Sequence, residues 1–287
     1  MKAIIWGAAG QDGYYLTQLL KQRNIDVIGV SRSQNFIHID STDFNQVGNL
    51  IKEHKPQYIF HFAANSTTQH SAWQENHNVI STGTMNILQA VKEYSPDTKV
   101  FLSGSGLQFK NKGLPIRETD PFEATSIYAV SRIHTVYAAR YYRSLGLKVY
   151  VGYFFNHDSP GRSERHINKK IINAAELISK RELGELEIGN LSVKKEFGFS
   201  GDIVEAVWLL VNQDKIYETV IGTGKAYSIK EWIEICFSMF DLDWKQYVVE
   251  NSFYKPEYEI LVSDPTTIFS LGWHPKTSIT ELAKMMR

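Results

Sequence analysis

The strongest restriction on the fold comes from the N-terminal thirty residues, where an apolar run, a glycine-rich turn and an amphipathic segment follow one another. Lys2–Trp6 is apolar, the turn reads Gly7-Ala-Ala-Gly10-Gln-Asp-Gly13, and apolar residues recur at helical spacing over Tyr14–Arg23. A second apolar run, Asp26–Val30, completes a βαβ unit. Glycines between a strand and a helix let backbone N–H groups approach a pyrophosphate. The turn therefore predicts a dinucleotide site, with a tight turn that binds no ligand as the alternative.

The same alternation continues along the chain. We predict strands at Phe36–Ile39, Tyr58–Phe62, Val100–Ser103 and Lys148–Phe155, with helices across Phe44–His54, Val79–Tyr94 and Ile127–Leu145. This order favours an α/β fold with a doubly wound, parallel, Rossmann-type sheet whose ligand lies at the carboxyl ends of the strands. After Phe155 the rhythm changes, which predicts a second, smaller C-terminal lobe, and the family resemblance given below implies that it is a substrate-binding lobe. We expect the NADP-binding domain to comprise residues 1–155 plus about 199–223, and the lobe to comprise about 156–198 and 224–287.

Four helix starts are predicted in the second half of the chain. Asp202-x-x-Glu205, Ser228-x-x-Glu231 and Ser278-x-x-Glu281 have capping-box spacing, and Asp264-Pro265 places a proline where a helix can begin.

Composition excludes several classes of protein. Thirty-one Lys and Arg balance thirty-one Asp and Glu, so no overall field attracts nucleic acid or a membrane surface. The single cysteine, Cys236, cannot form an intrachain disulfide, and no apolar run reaches the ~18–20 residues that span a bilayer. We therefore expect a cytoplasmic protein with no membrane segment. The nine histidines form no ligand-spaced cluster, so we predict no metal and expect His61 and His134 to be packed or hydrogen-bonded.

Two polar positions bear on the choice of cofactor. The second strand ends at Ser31-Arg32-Ser33, where an NAD site usually has an acidic residue. A guanidinium there suits a 2′-phosphate and favours NADP(H), with NAD(H) and a solvated surface arginine as the alternatives. Asp40 either reaches the adenine amino group or caps the next helix.

Tyr128 and Arg132 lie four residues apart on a predicted helix, so both side chains project from one face. The strand end Ser103-Gly-Ser105 lies upstream of them. A cation beside a tyrosine favours its phenolate, which makes the pair a candidate acid/base in a dinucleotide enzyme. On an anonymous helix the same spacing also describes a surface pair.

These motifs together resemble the extended short-chain dehydrogenase/reductase superfamily, and within it the GDP-mannose 4,6-dehydratase family. The resemblance runs essentially from end to end. Its motifs are Gly7…Gln11-Asp12-Gly13, Asp40-Ser41-Thr-Asp43, His61-Phe-Ala63-Ala64-Asn65-Ser66, Ser126-Ile-Tyr128-Ala-Val-Ser-Arg132, Phe155-Asn156-His157-Asp-Ser159-Pro160-Gly-Arg162, Lys169-Lys170, Gly189-Asn190, Lys195-Glu-Phe-Gly198 and Lys255-Pro256-Glu257.

The resemblance implies roles for residues at the matching positions. It implies catalysis by Tyr128, Arg132, Ser103 and Ser105. Cofactor binding is implied for Gly7, Gly10, Gln11, Asp12, Gly13, Arg32, Asp40, Ser41, Ala63, Ala64, Asn65, Tyr128, Arg132 and His157. Binding of a nucleotide sugar, expected to be GDP-linked, is implied for Ser66, Asn156, Arg162, Lys169, Lys170, Gly189, Asn190, Lys195, Lys255 and Glu257. The family also suggests a role in surface-polysaccharide synthesis.

Three departures from the family pattern affect the chemistry. The family's strand-end motif reads Ser-Thr-(Ser/Asp)-Glu, whereas this chain has Ser103-Gly104-Ser105-Gly106, and Arg132 replaces a lysine. The hydroxyl for the C4 oxygen and the carboxylate that assists elimination of water are therefore absent. The glycines either weaken the original reaction or open room for a larger sugar.

Three functions therefore stay open. The first is NADP-dependent modification of a GDP-hexose of the dehydratase type, starting with hydride transfer at C4, and the second is a C4 reductase or epimerase. The third is a non-catalytic protein that binds cofactor or nucleotide sugar. The family's loop after Arg32 is shortened here, so we expect a homodimer through the segments Val79–Tyr94 and Ile127–Leu145 rather than a tetramer.

Overall fold

A computed structural model describes residues 1–251 and 253–287. Its strands are β1 Lys2–Trp6, β2 Asp26–Val30, β3 Tyr58–His61, β4 Lys99–Ser105, β5 Lys148–Phe154, β6 His157–Asp158, β7 Leu186–Ile188, β8 Lys194–Glu196, β9 Gly198–Phe199, β10 Glu218–Ile221, β11 Ala226–Ser228, β12 Val248–Glu250 and β13 Ile260–Leu261. Its α-helices are α1 Gln11–Gln22, α2 Phe44–His54, α3 Trp73–Asn76, α4 Gly83–Tyr94, α5 Ile127–Ser144, α6 Ile167–Ser179, α7 Ser200–Val211, α8 Ile229–Ser238, α9 Thr266–Ser270 and α10 Ile279–Met286.

Six strands form the central sheet in the order β10-β5-β4-β3-β1-β2, and every neighbouring pair is parallel. The predicted α/β fold with a parallel sheet is therefore confirmed. Parallel pairing brings the carboxyl ends of the strands to one edge of the sheet, where ligands of open α/β sheets bind. Trp6 pairs with His61, and Ser105 pairs with Phe154, at that edge.

Apolar side chains cover both faces of the sheet. One cluster packs α2, α4 and α5 against one face, and a second packs α1, α7 and α9 against the other. A third cluster is built from α6, α8, α10 and β7, in segments that were expected to form the second lobe. Ile268 and Trp273, which follow residue 224, pack instead in the second cluster, beside the central sheet. None of the described helices is both long and apolar enough to span a bilayer.

Two of the helix starts predicted from the sequence are confirmed and one is wrong. Ser228 and Ser278 both form complete capping boxes, with Glu231 and Glu281. The start predicted at Asp202 is wrong, because α7 begins two residues earlier and Asp202 lies in its first turn. Its carboxylate instead accepts hydrogen bonds from the backbone N–H groups of residues 276 and 277, at 2.9 and 2.8 Å.

The predicted strand Phe36–Ile39 is also wrong, since only one parallel bridge forms, between Val30 and Ile37. Asn35 adopts a left-handed conformation with φ of 72°, which turns the chain before a strand can extend. The Phe36 ring then lies over Gly29, where an added Cβ would be 2.8 Å from Cδ1 of that ring. A π-helix, His77–Thr82, precedes α4 in the segment where one regular helix was expected.

Candidate active site

The glycine turn leaves the start of α1 open to a ligand. Gly7 has φ of 85°, and a Cβ there would lie 2.7 Å from the backbone nitrogen of Ala63, so only glycine fits between these loops. Gly10 is the N-cap of α1 and provides no side-chain cap for the N–H groups of the first turn. Uncapped amides at the positive end of a helix are the arrangement that binds a diphosphate.

Two clefts meet at this turn. The Arg32 cleft has a cavity of about 930 Å³, and its lining includes Trp6, Gly7, Gly10, Arg32, Asp40, Ser41, Ala63, Ala64, Glu75 and Asn78. The Tyr128 cleft is smaller, about 300 Å³, and its lining includes Gly7, Gly10, Gln11, Asp12, Gly13, Ala64, Ser66, Ser103, Ser105, Tyr128, Arg132, Asn156, His157, Asp158, Arg162, His166, Asn168 and Lys195. Because Gly7, Gly10 and Ala64 line both clefts, the two are continuous.

The structure excludes one of the two roles suggested for Asp40, that of capping the next helix. Asp43, not Asp40, caps α2, because its carboxylate accepts from the N–H groups of residues 45 and 46. Asp40 accepts from Thr42 and lies in the cleft wall. The Arg32 side chain is 87% exposed and pairs with Glu75 at 3.0 Å.

Arg132 is buried behind Tyr128. Its Nη1 donates to the Ser103 carbonyl and, at 2.8 Å, to the Ser103 hydroxyl. The guanidinium carbon lies 5.2 Å from the centre of the Tyr128 ring. The pair is therefore not a surface pair, and a permanent positive charge stands beside the phenol in the cleft.

The two serines at the end of β4 differ in what their hydroxyls can donate. The Ser103 hydroxyl donates to the His61 carbonyl at 3.0 Å, so its proton is already used in a hydrogen bond within the protein. The Ser105 hydroxyl accepts from the Leu107 N–H at 3.2 Å, and its own proton has no acceptor among the described residues. Ser105 is thus the serine whose proton can reach a ligand.

His61 is buried next to this group. Burial, and then the positive charge of Arg132, lower the pKa of His61 to about 4. The neutral ring contacts the Val79 carbonyl through Nε2 at 3.1 Å. This histidine is packed and hydrogen-bonded, as its isolation in the sequence suggested. In the described ranges no three His, Cys, Asp or Glu side chains are placed to hold a metal ion.

Aromatic rings fill the space beside the two glycines that depart from the family motif. A Cβ on Gly104 would lie 2.6 Å from Cδ1 of Tyr153 and 3.0 Å from Oε1 of Gln108. A Cβ on Gly106 would lie 2.9 Å from Cε1 of Phe155. The protein's own rings occupy the space that a Cβ would need at either position, which argues against the alternative that these glycines open room for a larger sugar.

An ion pair joins the glycine turn to the strand β6. His157 Nε2 lies 2.8 Å from Asp12 Oδ1, and His157 Nδ1 lies 2.8 Å from the Phe155 carbonyl. Burial disfavours both charges, but the partner's charge and hydrogen bond outweigh it, so the pKa of Asp12 is lowered and that of His157 is raised. Gln11 adds a bond from Nε2 to the His157 carbonyl at 3.2 Å. Asp12 and His157 therefore bind each other beside the glycine turn.

The opposite wall of the Tyr128 cleft carries a polar cluster around Asp158. Arg162 pairs with Asp158 at 3.0 Å and contacts His166 Nδ1 at 3.1 Å, and the Asn168 amide donates to the same carboxylate. Burial lowers the pKa of Lys195 to about 8, with the Asp158 carboxylate opposing the shift. Sequence reasoning missed Asp158, His166 and Asn168 as site residues. The Asp158 position lay inside a quoted motif, but nothing in its spacing indicated that it would order the others.

The predicted substrate residues are not all brought together. Ser66, Asn156, Arg162 and Lys195 line the Tyr128 cleft, whereas Lys169, Lys170, Gly189, Asn190, Lys255 and Glu257 line neither cleft. Among these, Lys169 donates to the Met286 carbonyl at 2.6 Å and Lys170 to the Glu187 carbonyl at 3.2 Å. The Asn190 side-chain oxygen accepts hydrogen bonds from the backbone N–H and the hydroxyl of Ser192. Asn65, which was predicted to bind the cofactor, also lines neither cleft.

The chain is similar along its length to proteins of known family. Residues 4–286 match the sequence model of a family described as GDP-mannose 4,6 dehydratase. The chain is 31% identical to GDP-mannose 4,6 dehydratase 1 of Arabidopsis thaliana, covering 99% of this chain and 88% of that protein. It is 29% identical to the human GDP-mannose 4,6 dehydratase, covering 99% and 90%.

Solved structures share the fold at lower identity. A UDP-glucose 4-epimerase from Thermus thermophilus, complexed with NAD, superposes with a TM-score of 0.84 at 20% identity, covering 100% of this chain and 97% of that one. RMD from Pseudomonas aeruginosa, complexed with NADPH, gives 0.87 at 19% identity, covering 99% and 97%.

Proposed function

The chain belongs to the GDP-mannose 4,6-dehydratase family, and from that premise we propose that it is an NADP(H)-dependent enzyme that transfers a hydride at C4 of a GDP-linked hexose. The observation that carries the proposal is the composition of the Tyr128 cleft. There the open amides of α1, the Tyr128–Arg132 pair and the polar side chains after β5 line one space.

The two clefts fit a nicotinamide dinucleotide. The uncapped first turn of α1 offers N–H donors to the diphosphate, and the absence of a side chain at Gly10 lets it approach the backbone. Gly13 instead lets α1 pack closely on the turn, because a Cβ there would lie 2.6 Å from Cα of Ala8. Arg32 would hold the 2′-phosphate that distinguishes NADP(H), and Asp40 lies in the wall of the cleft proposed for the adenosine half. We assign further contacts to Ser41, Ala63, Ala64 and Asn65. When bound, the nicotinamide supplies the acceptor or donor of the hydride.

We assign proton transfer at the sugar to Tyr128, with Ser105 as a hydrogen-bond donor. In the oxidising direction, the Tyr128 oxygen takes the proton of the C4 hydroxyl as the hydride leaves that carbon. The Arg132 guanidinium stabilises negative charge on the Tyr128 oxygen before that oxygen accepts the proton. The guanidinium cannot itself give up a proton near neutral pH. Ser105, whose hydroxyl proton is free, would donate to the C4 oxygen, while Ser103 holds Arg132 in place.

The nucleotide sugar would lie against the polar cluster opposite Tyr128. Arg162, Lys195 and Asn156 line this wall, and a diphosphate is bound by clustered cations and amide donors. Lys169, Lys170, Gly189, Asn190, Lys255 and Glu257 lie farther out, and we assign them to the guanosine end. For Lys169 and Lys170 this assignment requires that they release the carbonyls of Met286 and Glu187.

A complete 4,6-dehydration is the second candidate. The end-to-end family match over residues 4–286 favours it. Elimination of water needs a group that removes the C5 proton, and the family carboxylate has no counterpart at Gly106, where the Phe155 ring takes the adjacent space. For this reason oxidoreduction or epimerisation at C4 is the first candidate.

Incubation with GDP-mannose and NADP⁺, followed by mass spectrometry and chromatography of the sugar nucleotide, tests both candidates. Epimerisation at C4 leaves the mass unchanged and is detected by a changed retention time. Loss of two hydrogens with equimolar formation of reduced cofactor supports C4 oxidation, and loss of one water with no net reduction supports dehydration. Tyr128→Phe should abolish either reaction while leaving the melting temperature unchanged. Binding without turnover of GDP-mannose or of its C4 epimer would refute the enzymatic proposal and favour the non-catalytic alternative.

We also propose a homodimer through the segments Val79–Tyr94 and Ile127–Leu145. Val130, Tyr137 and Tyr141 recur at helical spacing on α5 and are 42%, 59% and 59% exposed. An apolar stripe of this kind is typical of a protein contact. Light scattering should give twice the chain mass for the wild type and one chain mass for Y137E/Y141E. Leu114→Glu, at another exposed apolar residue, is the control, and a monomeric wild type would refute the proposal.

We place this enzyme in the cytoplasm and in the supply of sugars for surface polysaccharide. The single cysteine, Cys236, is buried and free, which suits a reducing compartment. Cell fractionation, and analysis of surface glycans after deletion of the gene, would test both assignments.

A further inference from the structure

Glu75 occupies the position in the Arg32 cleft that a 2′-phosphate would approach. One of its carboxylate oxygens pairs with Arg32 Nη1 at 3.0 Å, and the other accepts from Asn65 Nδ2 at 2.7 Å. Arg32 and Glu75 both line the cleft, so the pair faces the ligand space. The cation that suggested NADP(H) in the sequence therefore already has an anionic partner.

The ionised side chains around the cleft do not favour additional negative charge. Its lining, within the part of the chain that the structure describes, holds the carboxylates of Asp40 and Glu75 and the guanidinium of Arg32. A 2′-phosphate brings up to two further negative charges, whereas the 2′-hydroxyl of NAD(H) brings none and can donate to a carboxylate. Glu75 thus repels the phosphate and also holds the group that would bind it.

We infer that Glu75 is a specificity-determining residue that reduces the preference for NADP(H) over NAD(H). The inference rests on the proposed function, because it requires a dinucleotide in the Arg32 cleft. Arg32 has donors on several nitrogens and can turn to a phosphate, but it then leaves Glu75 beside that phosphate. The enzyme therefore discriminates less strongly against NAD(H) than it would with a free arginine at position 32.

The test measures affinities for NADPH and NADH by energy transfer from tryptophan to the bound nicotinamide. Trp6 lines the same cleft and serves as a donor. Glu75→Gln removes the charge and keeps an amide oxygen for Asn65. We expect this variant to bind NADPH about tenfold more tightly, which equals about 1.4 kcal/mol, while its NADH affinity stays within about twofold of the wild type.

Two further variants complete the design. Arg32→Gln should weaken NADPH and leave NADH nearly unchanged, and Glu53→Gln, a charge removal at an exposed site on α2, should change neither affinity. Glu75→Ala replaces Glu75→Gln if the latter does not melt cooperatively. An unchanged NADPH-to-NADH ratio in the Glu75 variant overturns this inference alone. If neither dinucleotide binds to the folded wild type, the proposed function fails and the inference fails with it.

Discussion

Gly104 is a position where the structure predicts that one added methyl group destabilises the protein. A Cβ there would lie 2.6 Å from Cδ1 of Tyr153, and the Tyr153 ring is fully buried. The far end of that ring is fixed, because its hydroxyl donates to Glu218 Oε2 at 2.7 Å. The ring cannot turn away from a new methyl group without breaking this bond, so Gly104→Ala overpacks the strand end.

The expected size follows from two opposing contributions. Overpacking of a filled core costs about 1–3 kcal/mol, and replacing a strand glycine by alanine returns about 0.5–1 kcal/mol of backbone entropy. We therefore expect Gly104→Ala to lower the free energy of unfolding by about 1–2 kcal/mol. For a chain of this size, that corresponds to a fall of about 2–3 °C in melting temperature.

Urea unfolding of a double-mutant cycle measures the contact directly. Tyr153→Leu removes the ring, and we expect the penalty of Gly104→Ala to fall by about 1 kcal/mol in that background. Tyr153→Phe keeps Cδ1 but removes the hydroxyl bond to Glu218 that fixes the ring, so the penalty there should lie between its values with tyrosine and with leucine at 153. The reasoning is refuted if Gly104→Ala is as stable as the wild type, or if its penalty is the same with leucine at 153.

Three shorter predictions concern the Tyr128 cleft. His157→Asn should lower the free energy of unfolding by about 3 kcal/mol near pH 5.5 and by clearly less near pH 9. The reason is that the raised His157 pKa stabilises the fold below ~6.5 and loses that effect as pH rises through the folded value, while the lowered Asp12 pKa acts above ~3.9. Equal losses in urea titrations at both pH values would contradict this. Ser105→Ala should lower kcat about 10²-fold and lower the melting temperature only slightly, because the Leu107 N–H loses its acceptor. Ser103→Ala should lower the melting temperature more, because the Ser103 hydroxyl bonds both His61 and Arg132, and steady-state kinetics with calorimetry separates the two variants. Because burial lowers the pKa of Lys195 to about 8, affinity for GDP-mannose should fall between pH 7 and pH 9 in the wild type and stay flat in Lys195→Met, as titration calorimetry would show.

The sequence predicts those parts of the fold that depend on neighbours along the chain. The turn from Gly7 to Gly13 and the capping boxes at Ser228 and Ser278 use residues a few positions apart, and each forms as expected. Asp202 has the same spacing to Glu205, yet a distant loop takes its carboxylate. Local patterns therefore identify elements well until a long-range partner competes for the same side chain.

The candidate site likewise has features that depend on local spacing and features that depend on distant residues. Tyr128 and Arg132 share a face because helical spacing requires it, and both line the cleft. The roles of Gly104 and Arg32 depend on Tyr153 and Glu75, which lie forty-nine and forty-three residues away in the chain. No periodic signal links such pairs. Contacts with distant residues therefore determine whether the space beside Gly104 is open and whether the Arg32 guanidinium already has an anionic partner.

The aromatic filling beside Gly106 restricts the order in which this active site can change. Glutamate at 106 would meet the Phe155 ring before it could act on any sugar, so the substitution alone lowers fitness through stability. A smaller residue at 155 would have to arise first, and that change leaves a cavity with no immediate gain. A lineage with this strand end therefore reaches the elimination carboxylate only through a less stable intermediate. Laboratory evolution toward dehydration should start from a pre-stabilised variant and mutate both positions together.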